Sequence, residues 1–513
     1  MQVLSLLLAV LGLPDAVSAQ SHFTRTNPGG PNAVGFRVVE QYDRSRGYRG
    51  VTDLNTGQAT KGERGRPIQT LIWYPAEKGT GSAVHAEDYL RLGATADDFG
   101  HAPAERVRLE AAHVSSRVSA LPPERAKTEL AASMFAYRDA TPTVGSFPVV
   151  IYAPSYRADA FENADLCEYL ASHGYVVIAS PSVGQTPGGM TDDLEGAETQ
   201  VGDIEYLIGY AYGLPQADTH RLAVIGYSWG GLANVMAAAK DSRILALVAL
   251  DGSVRTYPAV IEQSRFLTPA RVTAPLLYVA ATPKQVEDLS SDVNAETSFL
   301  NRLKYADLYR VTLAPYIHAN FSVMGQRFMA DDAYRNYNKD ELSSANGWLE
   351  LYVRNFLDGY LKGDAAGRAF LDTPGDKIGA PPHLLTTYVA KAQGVPPTRG
   401  AFAAELARQG FDQASTVYGT FKKRDSSFAL SEVEVNAWGY KLMRAGDTKS
   451  SVAILRLNAE LHGDSWNAFD SLGEAYAQAG NKPMAVDSFR KSLAMNPNNT
   501  SAVAWLKQLG ARP

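Results

Sequence analysis

From about residue 34 to 375 the chain is a series of apolar runs separated by stretches whose apolar positions fall at helical spacing. The runs are IQTLIWY (68–74), PVVIYAP (148–154), YVVIAS (175–180), LAVIGYS (222–228), ILALVALD (244–251), PLLYVAA (275–281) and LYRVTLA (308–314). Most are continuously apolar and do not alternate with polar residues, as strands buried on both faces of a parallel sheet require. The stretches between them, such as 161–173, 198–212 and 230–240, read as helices. This β-α-β rhythm predicts an α/β fold with a doubly wound, mostly parallel sheet and right-handed crossovers. Residues 85–140 interrupt it. There AERVRLEAAHVSS and PERAKTELAASMFAY have helical spacing, so the segment is an insertion, either a cap over the sheet's active edge or an excursion packed on its side.

After the Pro/Gly-rich passage GVPPTRG (394–400) the pattern turns helical and repeats itself. Gly439 and Gly473 are 34 residues apart, and so are Gly446 and Gly480. In the second unit Trp466, Phe469, Leu472, Gly473, Tyr476, Ala485, Phe489 and Pro497 stand where a 34-residue helix-turn-helix repeat places its small and large side chains. The first unit, from about 432, keeps Trp438, Gly439, Leu442 and Leu455 but has Ser451 where a small Ala is usual. The spacing resembles tetratricopeptide repeats, with AFAAELARQGFDQASTVYGTF (401–421) as another helical pair and SAVAWLKQLG as a capping helix. The expected organisation is an α/β domain over 20–385, a linker over 386–400 and an all-α repeat domain over 401–513.

Composition narrows the function classes. A hydrophobic fraction of 45% with 20% charged residues is ordinary for a globular chain and ample for a core. A formal net charge of −5 and a pI near 6.0, with no basic run, argue against a nucleic-acid partner. The opening MQVLSLLLAVLGLPDAVSAQ is apolar from Val3 to Leu13 and then reads Val17-Ser18-Ala19. That pattern predicts a secretory leader over 1–19, cleaved after Ala19, and a secreted or periplasmic protein, although no Lys or Arg precedes the apolar core. The run is too short to span a bilayer and no later one is long enough, so no transmembrane segment is expected. The single cysteine, Cys167, excludes intrachain disulfides and any cysteine-rich metal site.

The candidate chemistry starts at IGYSWGG, residues 225–231. A bare GxSxG arises by chance in long chains, but here the apolar RLAVI precedes it and the small-residue stretch GGLANVMAAAKD follows. Strand, GxSxG and helix in that order form the nucleophile elbow of α/β-hydrolases, whose tight turn presents a serine, here Ser228, at the sheet's carboxyl edge. Gly226 and Gly230 make room for the turn, and Gly231 lets the helix approach. The plainer alternative is a Gly-rich βα turn without chemistry. A serine is a weak nucleophile unless a base lies within hydrogen-bond reach and is itself oriented. On this fold the chain order is serine, acid, histidine. Downstream of Ser228 stand His318, His383 and His462. His462 falls in the repeats, His383 in a Pro-rich tail, and His318 in APYIHANF directly after the run LYRVTLA, where the base belongs. For the acid, Asp251 ends ILALVALD, while Glu287 and Asp288 follow PLLYVAA at a distance. A carboxylate fixed at a strand end holds an imidazole more firmly than one out on a loop, which favours Asp251.

Ser228, Asp251 and His318 in HANF, with RPIQTLIWYP (66–75) and LASHGYVVIASP (170–181), resemble the platelet-activating-factor acetylhydrolase family of serine esterases. NFLDGYLKGD (355–364) is similar to the last helix of dienelactone-hydrolase-like proteins. The resemblance spans roughly residues 30 to 375 and implies an α/β-hydrolase fold, a Ser-His-Asp triad and hydrolysis of a small or lipid-like ester. Where that family carries His-Gly after its third strand, this chain reads YAPSYRADA. The implied oxyanion hole is the backbone N–H of Trp229 plus that of Ser155 or Tyr156. Such a mechanism requires no metal or organic cofactor. Two other readings stay open. One is an interaction protein whose repeats bind a protein partner and whose hydrolase domain is degenerate. The other is a serine peptidase or acyltransferase on the same fold.

Overall fold

The computed structural model describes residues 21, 23–53, 56–281, 298–329 and 336–512. The leader-like stretch 1–19, with Ala19, and the alternative acids Glu287 and Asp288 lie outside the described residues. The chain divides into two compact units, with the boundary between Gly394 and Val395.

The first unit is built on one mixed sheet. Its strands are β1 (Ala33–Gly47), β2 (Gly65–Ala76), β3 (Ser82–His85), β4 (Ser133–Arg138), β5 (Phe147–Ala153), β6 (Val176–Ala179), β7 (Ala217–Tyr227), β8 (Ile244–Leu250), β9 (Leu276–Ala281), β10 (Leu308–Leu313) and β11 (Leu385–Ala390). Their order across the sheet is β11-β10-β9-β8-β7-β5-β6-β2-β1-β4-β3. From β6 through β5, β7, β8 and β9 to β10 every neighbouring pair is parallel. β2 joins β6 antiparallel, and β1 joins β2 antiparallel. The helices are α1 (Ala86–Leu92), α2 (Pro103–Val118), α3 (Pro123–Leu130), α4 (Ala164–Ser172), α5 (Leu194–Ala211), α6 (Trp229–Lys240), α7 (Pro258–Gln263), α8 (Val323–Arg327), α9 (Lys339–Leu361) and α10 (Ala365–Asp372).

The continuously apolar strands are explained by what covers them. Successive side chains of a strand point to opposite faces. Val150 and Tyr152 of β5 pack with Leu166 and Leu170 of α4 and Leu349 and Val353 of α9. Val149 and Ile151 of the same strand pack with Val201 and Ile204 of α5 and Leu232 and Val235 of α6. With helices on both faces, neither face is free to carry polar residues.

The structure departs from the sequence reading at the sheet's two edges. SMFAYR, expected as the end of a helix beginning at PERAK, is the strand β4, because α3 stops at Leu130. β4 pairs with β1 through Val34–Ala136 and Gly35–Tyr137, and the Phe135 amide donates to Glu168 at 2.7 Å. Those partners are remote in sequence, and a short apolar run such as MFAY fits either period. The 85–140 insertion thus adds β3 and β4 to the sheet and α1 to α3 beside it. Its Tyr89 is buried, taking a hydrogen bond from Trp73 at 2.7 Å and giving one to Glu168 at 2.8 Å. At the other edge, part of the expected 386–400 linker belongs to β11, which pairs antiparallel with β10.

The second unit is all helical among its described residues: α11 (Arg399–Gln409), α12 (Ala414–Arg424), α13 (Glu432–Arg444), α14 (Thr448–Leu461), α15 (Trp466–Gln478), α16 (Lys482–Met495) and α17 (Thr500–Gln508). Side-chain oxygens of Thr398, Ser431, Asp447, Ser465, Asn481 and Asn499 accept the free amides at their helix starts. Gly446 and Gly480 close α13 and α15 at φ 82° and 74°, a left-handed conformation that favours glycine. The glycines earlier in those helices serve packing. A Cβ on Gly439 would lie 2.4 Å from Leu455, and one on Gly473 2.7 Å from Phe489. Ser451, the departure from the repeat pattern, donates its hydroxyl to the Gly439 carbonyl at 2.8 Å, so the helices stay close without an alanine.

Candidate active site

Ser228 lies between β7 and α6 at φ 53° and ψ −115°, a region that side chains rarely adopt. Three backbone bonds hold it there. Its amide donates to Leu250 at 2.9 Å, and its carbonyl accepts from Gly231 at 2.9 Å and from Ser253 at 2.8 Å. The neighbouring glycines are required by space. A Cβ on Gly226 would stand 2.1 Å from the Gly230 carbonyl oxygen, and one on Gly230 2.1 Å from that of Ala153. One on Gly231 would stand 2.5 Å from Gly252.

The turn lifts the Ser228 hydroxyl to His318, with Oγ 2.8 Å from Nε2. The other ring nitrogen, Nδ1, is 2.7 Å from Oδ2 of Asp251. Asp251 directly follows β8 and itself has a positive φ, 43°. Its amide donates to Val279 at 2.6 Å, its Oδ1 accepts the Ala281 amide at 3.3 Å, and Arg255 approaches to 3.9 Å. His318 leaves β10 in a short turn whose shape is set by Asn320, which accepts the Ile317 amide at 2.7 Å. Tyr227, from the strand before the elbow, donates its hydroxyl to the His318 carbonyl at 2.7 Å. Its ring stands 5.3 Å from the imidazole. His383 instead sits beside Glu341 at 3.6 Å, and the His462 ring meets the Leu430 carbonyl at 3.1 Å within the second unit. Of the histidines in the first unit downstream of the elbow, His318 and not His383 is the partner of the Ser228 hydroxyl.

The three amides named for an oxyanion hole differ in their engagement. The Trp229 N–H opens α6 and, as the first donor of a helix, has no partner inside it. The Ser155 N–H is taken, donating to Oε1 of Glu162 at 2.6 Å, which removes it as a free donor. The Tyr156 N–H makes no hydrogen bond among the described residues. Around it, Gln200 donates to the Pro154 carbonyl at 2.7 Å and the Tyr156 hydroxyl to the Met190 carbonyl at 2.6 Å. The Trp229 ring is buried edge-on between Tyr257 at 5.0 Å and Tyr156 at 6.1 Å.

Sequence reasoning missed Glu162, Gln200, Asn320 and Tyr227. Glu162 carries the most consequence, for it also accepts the Ser155 hydroxyl at 2.8 Å and the Tyr152 hydroxyl at 2.9 Å. Burial pushes its carboxyl up to about 7, against the pull of the Ser155 and Tyr152 hydrogen bonds. Glu162 stands in AFENADL beside Asn163 and a second acid, Asp165, so nothing local singled it out, and its partner lies across a loop that no periodicity describes.

Residues 128–371, which include Ser228, Asp251 and His318, match the model of the X-Pro dipeptidyl-peptidase (S15) family. No curated protein matches the chain significantly. Among solved structures, a ferulic acid esterase from Streptomyces cinnamoneus is similar at 17% identity and a TM-score of 0.48, covering 71% of this chain and 98% of that one. The family match lies on the segment that holds the elbow, and it supports hydrolysis as the class of activity.

Proposed function

We propose that the chain is a serine hydrolase of carboxylic esters, with Ser228 as nucleophile, His318 as base and Asp251 as the group that orients it. The observation that carries the reading is the unbroken pair of hydrogen bonds, 2.8 Å from Ser228 to His318 and 2.7 Å from His318 to Asp251, at a strained elbow. His318 takes the Ser228 proton as Oγ bonds to the ester carbonyl carbon. The oxyanion is held by the N–H groups of Trp229 and Tyr156, each worth about 3 kcal/mol in sites of this kind. Collapse breaks the C–O bond, and the proton on His318 passes to the departing alkoxide. Water then attacks the acyl-enzyme, gives its proton to His318 and releases the acid, and Ser228 regains its hydrogen. Asp251 stabilises the imidazolium in both halves.

A fluorophosphonate probe and esters of graded acyl length test this. Labelling and turnover are expected in the wild type and absent in Ser228→Ala; a wild type that does neither sinks the reading and leaves an interaction role for the repeats. The match over 128–371 supports a second reading, a serine peptidase removing X-Pro dipeptides. Turnover of X-Pro amides well above that of esters would favour it. The leader-like stretch 1–19 supports export, which N-terminal sequencing of the chain made in a secreting host would test.

A further inference from the structure

The segment from Pro154 to Asn163, between β5 and α4, touches both sides of the candidate site. Two successive peptide groups decide where the Tyr156 N–H points. The first, joining Pro154 to Ser155, is held at its carbonyl by Gln200 at 2.7 Å and at its amide by Glu162 at 2.6 Å. The second, joining Ser155 to Tyr156, is held at its carbonyl by the Ala158 amide at 3.1 Å. A trans peptide sends its N–H opposite to its C=O, so anchoring the Ser155 oxygen turns the Tyr156 hydrogen the other way. Ser155 is not a glycine, and its hydroxyl is used as a further tether, 2.8 Å from Glu162.

The same short segment fixes the loop that carries the base. The Glu162 carbonyl accepts the Met324 amide and the Ser322 hydroxyl, both at 3.2 Å. The Asn163 side chain accepts the Val323 amide at 3.1 Å and donates to the Tyr152 hydroxyl at 2.6 Å. We propose that Glu162 is a positioning residue of this site. Its carboxylate clamps the Ser155 amide and hydroxyl so that the Tyr156 N–H is the donor left for the oxyanion, while its backbone registers the His318 loop to that donor. This rests on the reading of Ser228 as the acylated nucleophile.

The chemistry of the clamp favours the ionised form. A carboxylate accepts from all three of Ser155 N, Ser155 Oγ and the Tyr152 hydroxyl, whereas a carboxylic acid must turn one of those contacts into a donation. The titratable groups facing it are Tyr152 from β5, Asp159 from its own segment, Cys167 from α4 and Tyr227 from β7. Burial leaves the carboxyl at about 7, within the range of an ordinary pH profile.

The test compares the full chain with Glu162→Ala and Glu162→Gln, using an ester substrate, a fluorophosphonate and thermal unfolding. Glu162→Ala is expected to lower kcat about 100-fold, the scale of losing one oxyanion donor, with KM changed less than about threefold. Glu162→Gln keeps an acceptor for the Ser155 amide and is expected to recover most of that loss. On the acid side the wild-type kcat/KM should fall with one proton more than that of Glu162→Gln, the proton that Glu162 binds. A folded Glu162→Ala with wild-type kcat overturns the proposal. So does a glutamine variant that leaves the acid limb unchanged, even if the alanine variant fails to fold. A wild type that neither labels nor hydrolyses an ester overturns this inference together with the reading beneath it, a result distinct from either variant failing.

Discussion

Ser228 occupies a backbone region that costs on the order of 1–3 kcal/mol, and it stays there because Leu250, Gly231 and Ser253 bond its peptide groups and three glycines let the chain pass where a Cβ would clash. The strain has a use, since it points the hydroxyl at His318 and away from the helix that follows. Asp251 repeats the device at the end of β8, where a positive φ aims the carboxylate at Nδ1. On the proposed mechanism Asp251 orients the imidazole and stabilises its cation, so Asp251→Asn is expected to retain the fold and lower kcat by about 10⁴ through the wrong tautomer. Steady-state kinetics with a melting curve decide it; activity within tenfold of wild type would move the acid elsewhere. Ser228, Asp251 and His318 were legible because strand ends and chain order are local and ordinal facts. The choice between Ser155 and Tyr156 was not legible, because it turns on whether a carboxylate seven residues later reaches back to the first amide.

At the scale of elements, α4 is unusual in carrying two buried acids toward the sheet's edge. Asp165 meets Arg327 at 2.6 Å and Arg25 at 3.1 Å, and the two guanidinium groups hold its carboxyl below the usual range despite burial. Glu168 bonds the Phe135 amide of β4 and the Tyr89 hydroxyl of α1, and burial pushes its carboxyl up to about 7. A folded-state value above the unfolded one means that the folded chain holds the proton more tightly. The stability from Glu168 is therefore fully present below about 4.5 and lost as pH rises through about 7. Asp165 acts in the opposite sense, its stability being lost as pH falls below its ordinary 3.8. Thermal unfolding from pH 5 to 8 should show a falling midpoint, with a loss of stability on the order of 1–3 kcal/mol from Glu168, and Glu168→Gln should make that slope shallower, the rest coming from groups raised in the same direction such as Glu162. An unchanged slope would assign the decline to another group. The same contacts explain why β4 was read as helix. What makes SMFAYR a strand is its pairing with β1, just over 100 residues away, and an acid on α4, neither visible to a window of local periodicity.

At the scale of the whole molecule, each unit has a core of its own. The first has one on each face of the sheet, and the second has two clusters, one around Phe402, Phe421 and Ile454, the other around Leu455, Leu472 and Phe489. A chain ending at Gly394 is therefore expected to fold and to keep its fluorophosphonate labelling and its turnover of small esters within about threefold, since each domain carries the core that stabilises it. Circular dichroism and the labelling rate check this. Loss of labelling in a folded truncation would assign the helical unit a part in the site.

The sequence by itself determined the α/β class, the helical end of the chain and the three residues that meet at the elbow. Burial on two faces, a 34-residue period and the order of motifs are all written in local pattern. Tertiary structure decided the rest: the extra strands at both edges, the engagement of the Ser155 amide, and the buried carboxylates whose protonation the fold controls. Each depends on partners brought together across the chain, and the energy of such a contact comes from burial and hydrogen-bond geometry that exist only after the sheet has formed.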